Sequence, residues 1–108
     1  MNKIAVYASM VMTFSLGAVN AQENRIVIIE NETSYPMTAL YASNVDTNDW
    51  EENLLRGRAV QPGRIIKVNI DDGSGHCYYD LKAVFGNVGS AVRPKLNVCT
   101  AESWTIQD

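Results

Sequence analysis

Ser74-Gly75-His76, with Asp71 and Asp72 just before it, contains the residue types of a hydrolytic triad: a hydroxyl to attack, an imidazole to take its proton and a carboxylate to orient the ring. His76 is the only histidine in the 108 residues. Triad members usually come from separated elements held by a scaffold, and residues crowded into one connecting loop rarely converge that way. The stretch therefore reads as a solvated turn. No enzyme is expected, and a small hydrolase using His76 is kept only as a remote alternative.

Metal binding is the second chemistry to test. Asp46-Thr47-Asn48-Asp49-Trp50-Glu51-Glu52 is dense in oxygen ligands, as a calcium loop is. Aligned from Asp46 on the helix-loop-helix calcium pattern, however, the central glycine falls on Glu51 and the closing glutamate on Gly57. The pattern fails, and acidic clusters are more often solvated faces. No metal or cofactor is expected; a looser calcium site would draw on Asp46, Asp49, Asp71 and Asp72. Zinc through His76 lacks the Cys and His set that structural sites use.

Recognition is the third. Trp50, Tyr41, Tyr78 and Tyr35 are rings that a count of two along the chain does not clearly place inside, and interfaces favour Tyr and Trp. Tyr78 shares a face with Asp80 and Lys82 and should stand on an outer sheet surface. Trp50, Tyr41, Tyr78, Tyr35 and Asp80 are the candidate binding surface. The competing explanation is that these rings cover core edges in a domain too small to hide them.

The elements that must carry these residues begin after a distinct leader. Met1-Asn2-Lys3, an uncharged apolar run from Ile4 to Leu16, and the small residues ending at Ala21 have the order of a secretory signal peptide cut after residue 21. The run is shorter than the ~20 residues a spanning helix needs, and no membrane span is expected after cleavage. Residues 22–108 are then a single exported domain, periplasmic or secreted. Lys3 is the only charge in the leader, so the formal charge moves from −3 to −4 on its removal. That balance argues against nucleic acid. Arg56, Arg58, Arg64 and Lys67 gather in the middle of the chain, but Asp49, Glu51 and Glu52 precede them; the group reads as mixed solvated surface.

Cys77 and Cys99 are the only cysteines, and in an exported chain two most simply pair. Cys77 opens the cleanest alternation in the sequence, with Tyr79, Leu81, Ala83 and Phe85 on its face, a candidate central strand. Cys99 has the parity of Lys95 and Asn97 rather than of Leu96 and Val98, which a bulge or a strand end near Asn97 would reconcile.

Other strands are expected over Arg25–Glu30, Met37–Ser43 (its facing ambiguous), Arg64–Ile70 (Ile66, Val68 and Ile70 on one face, Ile65, Lys67 and Asn69 on the other), Leu96 to Cys99, and Trp104–Ile106. Arg25–Glu30, with four consecutive β-branched residues, should be covered on nearly both faces and pair with an interior neighbour. Asn31 to Pro36 is turn chemistry, and Asn31-Glu32-Thr33 also matches a glycosylation sequon. Trp50, Leu54 and Leu55 have helical spacing, so a short helical turn is expected over 49–55, with Trp50 lidding one end of the core. Pro62-Gly63 marks a tight turn, and Asp71 to His76 a hairpin connection between its flanking strands. The fold class is all-β: a small antiparallel β-sandwich, or a partly open barrel, of about six strands with one helical turn and one disulfide.

Asn31-Glu32-Thr33, Leu40-Tyr41-Ala42-Ser43, Trp50 followed by Leu54-Leu55, Pro62-Gly63, Cys77-Tyr78-Tyr79-Asp80-Leu81 and Asn97-Val98-Cys99 occur in that order. In this the chain resembles a family of small exported bacterial proteins patterned N-x-T, LY-x-S, W-x-x-x-LL, PG, C-x-YDL and a late cysteine. The resemblance implies the compartment and the fold and carries no activity. The expected function is non-enzymatic binding of an envelope or secreted protein; the alternative is a carbohydrate- or calcium-binding module. The sequence leaves the oligomeric state open.

Overall fold

The computed structural model describes residues 25–47, 49–100 and 103–108. The expected leader and Asn48 of the acidic stretch lie outside the described residues. Six strands follow one another: β1 (Ile26–Glu32), β2 (Ala39–Asn44), β3 (Arg64–Asn69), β4 (Tyr78–Phe85), β5 (Gly89–Asn97) and β6 (Ser103–Gln107), with a 3-10 turn at Val98–Thr100. They form two sheets, ordered β3-β1-β6 and β2-β4-β5. Between them lies one core cluster, with Val27, Ile29, Val68 and Ile106 from the first sheet and Leu40, Tyr79, Leu81, Ala83, Phe85 and Leu96 from the second. The expected small all-β sandwich is present.

Period-two burial explains the inward faces of β1, β3, β4 and β6. β4 alternates exposed or half-buried Tyr78, Asp80, Lys82 and Val84 with buried Tyr79, Leu81, Ala83 and Phe85, and it is central in its sheet. β1 is itself central, between β3 and β6, so its neighbours are edges rather than the expected interior strand. Its pairing with β3 is antiparallel and with β6 parallel; β6 arrives by a crossover from the other sheet, which sets its direction.

Strand ends have a common local cause. Asn31, Asn44, Asn69 and Asn97 lie at the ends of β1, β2, β3 and β5, and each accepts through Oδ1 the N–H of the residue two further on. A short amide side chain thus substitutes for the ladder and turns the backbone. After β3 the same device repeats at Asp71 and Asp72, which accept the N–H groups of Gly73 and Ser74. This chain of turns carries Asp71–His76 across the sandwich. The expected hairpin is therefore not formed: β3 pairs with β1 and β4 with β2 and β5.

The helical turn expected over 49–55 is also absent. Leu40 N–H donates to Asn53 Oδ1 at 3.0 Å and Leu54 N–H to Leu40 O at 2.8 Å. The segment lies against the β2 edge, and those cross-links displace the helical ones. The next turn is as expected: Arg64 N–H donates to Gln61 O at 3.1 Å, with Gly63 at φ +81°, a conformation that favours glycine.

Cys77 and Cys99 are joined, with Cα atoms 5.2 Å apart. The end of β5 at Asn97, and not the bulge earlier in the strand, reconciles their parity. Tyr79 pairs with Leu96 but Leu81 with Arg93, so β5 holds one extra residue at Pro94-Lys95, a bulge where proline's missing donor is tolerated. Beyond Asn97 the 3-10 turn then brings Cys99 back toward Cys77, and Val98 N–H donates to Cys77 O at 2.8 Å. β5 begins at Gly89, well before the expected Leu96, and ends at Asn97, short of the expected Cys99.

Asn31 is the polar node of the fold. It is fully buried; Nδ2 donates to Tyr35 O (2.8 Å) and Val60 O (2.9 Å), and Oδ1 accepts from Thr33 N–H (3.0 Å) and Thr33 Oγ1 (2.7 Å). Every hydrogen-bonding position of the amide is filled, so the sequon is a structural knot with no accessible nitrogen to glycosylate. Asn31→Ala should cost about 2 kcal/mol or more, because it leaves the buried Thr33 N–H without its acceptor and takes one of two donors from each of the Tyr35 and Val60 carbonyls; urea denaturation showing a loss under about 1 kcal/mol would contradict this. The bond between Cys77 and Cys99 closes a loop with a sequence separation of 22, and Cys77→Ser/Cys99→Ser is expected to lose about 3 kcal/mol, read as a lowered Tm.

Candidate functional site

The outer face of the β2-β4-β5 sheet collects four of the five expected recognition residues. Tyr41 pairs across the ladder with Lys82, and Lys82 with Val92 on β5. Trp50 lies over the same lysine, its ring centroid 5.8 Å from Nζ, within cation–π range. Trp50 is half-buried there and does not lid the core as expected; Leu55, at 1% exposure, enters the core instead. Facing opposite ways from one segment, these two side chains make the helical spacing irrelevant. Tyr78 is 50% and Val92 55% exposed, and Asn97 Nδ2 donates to Tyr78 Oη at 3.4 Å.

Asp80 shares this face but has a structural partner, accepting the Lys95 N–H at 2.9 Å inside the β5 bulge. Tyr35 stands apart, at the end of the sandwich near Phe85, Val88 and Ile106, where it borders a cavity of about 200 Å³. Val92 is a residue that sequence reasoning missed. Its strand was not recognised this far back, because the Pro94-Lys95 bulge breaks the alternation that would have revealed it.

A polar cluster occupies the loops at one end of β2 and β4. His76 Nε2 lies 2.6 Å from Asp46 Oδ2 and His76 Nδ1 2.7 Å from Ser74 Oγ. A Ser–His–Asp array is thus assembled, with its carboxylate supplied by Asp46 from a separate loop rather than by Asp71 or Asp72. Its ring nitrogens are reversed relative to the hydrolytic arrangement, in which the hydroxyl meets Nε2. The adjoining N–H groups that could cradle an oxyanion are engaged in the turn: Ser74 N–H on Asp72 and His76 N–H on Ser74 Oγ.

Asp72 anchors the other half of the cluster. Its Oδ1 accepts from Tyr79 Oη (2.7 Å) and Ser74 N–H (2.9 Å), and its Oδ2 from Asn44 Nδ2 (3.1 Å). Partial desolvation acts upward on this carboxyl, but the bonds from Ser74, Tyr79 and Asn44 outweigh it and hold the group well below the usual carboxylate range. Burial, with the Asp72 charge beside it, pushes the Tyr79 hydroxyl up. A neighbouring cavity of about 240 Å³ is lined by Glu51, Glu52, Asp71, Asp72 and Tyr79. Among the described residues no group of three or more His, Cys, Asp or Glu is gathered as a metal ion would require. Of the four residues named for calcium, Asp46 engages His76, Asp72 engages Tyr79, Asp71 caps Gly73, and Asp49 is exposed.

Comparison with known proteins returns no match to a family model, to a curated protein or to a solved structure.

Because Asp72 is more acidic in the folded chain than in the unfolded one, its stabilising contribution is present above about pH 4 and is lost as the pH falls below that range. Asp72→Asn is therefore expected to be less stable than the parent near pH 7, with the gap closing toward roughly pH 2. Urea midpoints at both pH values measure it; a gap that stays constant contradicts the assignment.

Proposed function

We propose that this is an exported, non-enzymatic binding domain whose outer β2-β4-β5 face recognises another envelope or secreted protein. The observation that carries this reading is the row Tyr41, Lys82 and Val92 with Trp50 above it and Tyr78 beside it, on a sheet whose backbone is fixed by ladders on both sides of β4. Aromatic rings on a rigid support gain contact area with little loss of conformational freedom. Lys82, bracketed by rings, supplies one oriented charge. The disulfide suits an oxidising compartment, in keeping with the leader, and a small stapled scaffold suits a module that binds rather than turns over. The Ser74–His76–Asp46 array supports catalysis poorly: its ring is reversed, and the N–H groups of Ser74 and His76 are engaged in the turn.

Carbohydrate is the second reading, favoured by one observation. Asn97 Nδ2 orients Tyr78 Oη, so a ring and an amide stand side by side as a sugar-stacking site requires. Calcium has no comparable support, since the acidic side chains are dispersed on separate partners.

Immobilised oxidised protein from residue 22 onward, exposed to envelope extract and culture fluid of the source cells, should retain one abundant protein that a Trp50→Ala/Tyr78→Ala bait loses. A glycan array run with both baits separates the second reading. Equal retention of every ligand by a folded double variant would remove this face from consideration.

A further inference from the structure

A different surface has its own recognition chemistry. β3 is an edge strand, paired with β1 on one side only. Ile70 N–H donates to Arg25 O at 2.9 Å, and the antiparallel alternation continues from that pair through Val68 and Ile66, which face β1 with their backbone groups, while at the start of the strand Arg64 N–H is held by Gln61 O. The N–H and C=O of Ile65 and Lys67 therefore point away from the sheet, and no backbone partner meets them among the described residues. The two edges of the other sheet are interrupted. β2 is covered by Asn53 and Leu54, and β5 is broken by its bulge and Pro94. β3 runs bare for six residues.

Beside this edge the chain from Leu54 to Gly63 forms the far wall of a trough. Two cavities, of about 710 and 250 Å³, share Arg58 and Ile66 and so run into one another along β3. Their lining includes apolar Leu54, Val60, Ile65 and Ile66 and all four central basic residues, Arg56, Arg58, Arg64 and Lys67, with no Asp or Glu. Arg56 makes a long exposed ion pair with Glu52 at 3.9 Å. Among the described residues Arg58, Arg64 and Lys67 make none. The sequence suggested a mixed surface here; in the fold only Arg56 keeps an acidic neighbour, and Arg58, Arg64 and Lys67 line the trough without one, in a chain whose formal charge is −3.

We infer that the β3 edge and its basic trough bind an extended acidic segment of a partner protein, added as a further strand to the β3-β1-β6 sheet. Main-chain hydrogen bonds to Ile65 and Lys67 supply the attachment, alternate side chains enter the trough, and the four cations select acids at the other positions. The same charges oppose pairing with β3 of a second copy, because like charges would then face each other. This inference is independent of the aromatic face proposed above.

The probes are two capped octapeptides, one alternating Glu with Val and one with Lys in place of Glu. Amide-resolved NMR follows binding, amide exchange and salt dependence. The acidic peptide should bind, shift resonances along β3 and slow exchange of the Ile65 and Lys67 amides, while the basic peptide does not bind. Arg58→Glu/Arg64→Glu should weaken binding at least about tenfold with the spectrum of the fold retained. Ile65→Pro removes an outward donor without touching the β1 ladder and should abolish protection at Lys67. The inference is overturned if neither peptide binds, if both bind alike, if the shifts lie away from β3, or if the Ile65 and Lys67 amides are already protected by self-association.

Discussion

The buried Asn31 amide is the constraint on which the other parts depend. It lies at the end of the central strand β1, paired on one side with Arg64 and on the other with Ile106, where the chain must leave one sheet for the other. A buried amide without partners is costly; here all of its positions are filled, by Thr33, Tyr35 and Val60. Val60 in turn exchanges both backbone hydrogen bonds with Met37 at 2.9 Å, and Gly63 N–H donates to Asn31 O at 2.7 Å. One side chain thus sets the crossover to β2 and the turn into β3 together. The edge of β3 and the trough beside it exist because this node holds residues 60–64 where they are.

The disulfide has the complementary role at a second crossover. It fastens the start of β4 to the 3-10 turn after β5, the point at which the chain returns to the first sheet as β6. A domain this small buries a limited fraction of its surface, so covalent closure and a saturated polar node supplement a modest core. With backbone positions fixed in this way, both candidate recognition surfaces are sheet features with little freedom of their own. One uses side chains on a face and the other main chain on an edge, and they belong to different sheets.

The acid–base residues show how proximity and capability differ. Asp46, Ser74 and His76 meet within hydrogen-bond distance, yet the ring is presented the other way round and the turn uses its own N–H groups. The same loop gives Asp72 three donors and makes it a structural carboxylate that ties Asn44 at the end of β2 to Tyr79 on β4. Hydrogen bonding that stabilises a turn this thoroughly leaves few groups free for chemistry.

By itself the sequence determined the inward faces of β3 and β4, because period-two burial is local; β2, buried at both ends and half-buried between, and the first half of β5, ahead of its bulge, carry no such signal. Ile66 and Val68 on β3 and the Tyr79 to Phe85 alternation on β4 follow directly from it. The cysteine pair was legible for the same reason, with only two candidates and an apparent export signal. Tertiary structure alone decided which strand pairs with which, since alternation says nothing of the partner. It sent Asp71–His76 across the sandwich instead of into a hairpin, placed Trp50 on Lys82 instead of over the core, and laid 49–55 along β2 where spacing suggested a helix. It also decided the electrostatics. Arg58, Arg64 and Lys67 border β3 while Glu51 and Glu52 border the Asp71–Asp72 turns, with only Arg56 and Glu52 still in contact, and that partition arises only from long-range packing.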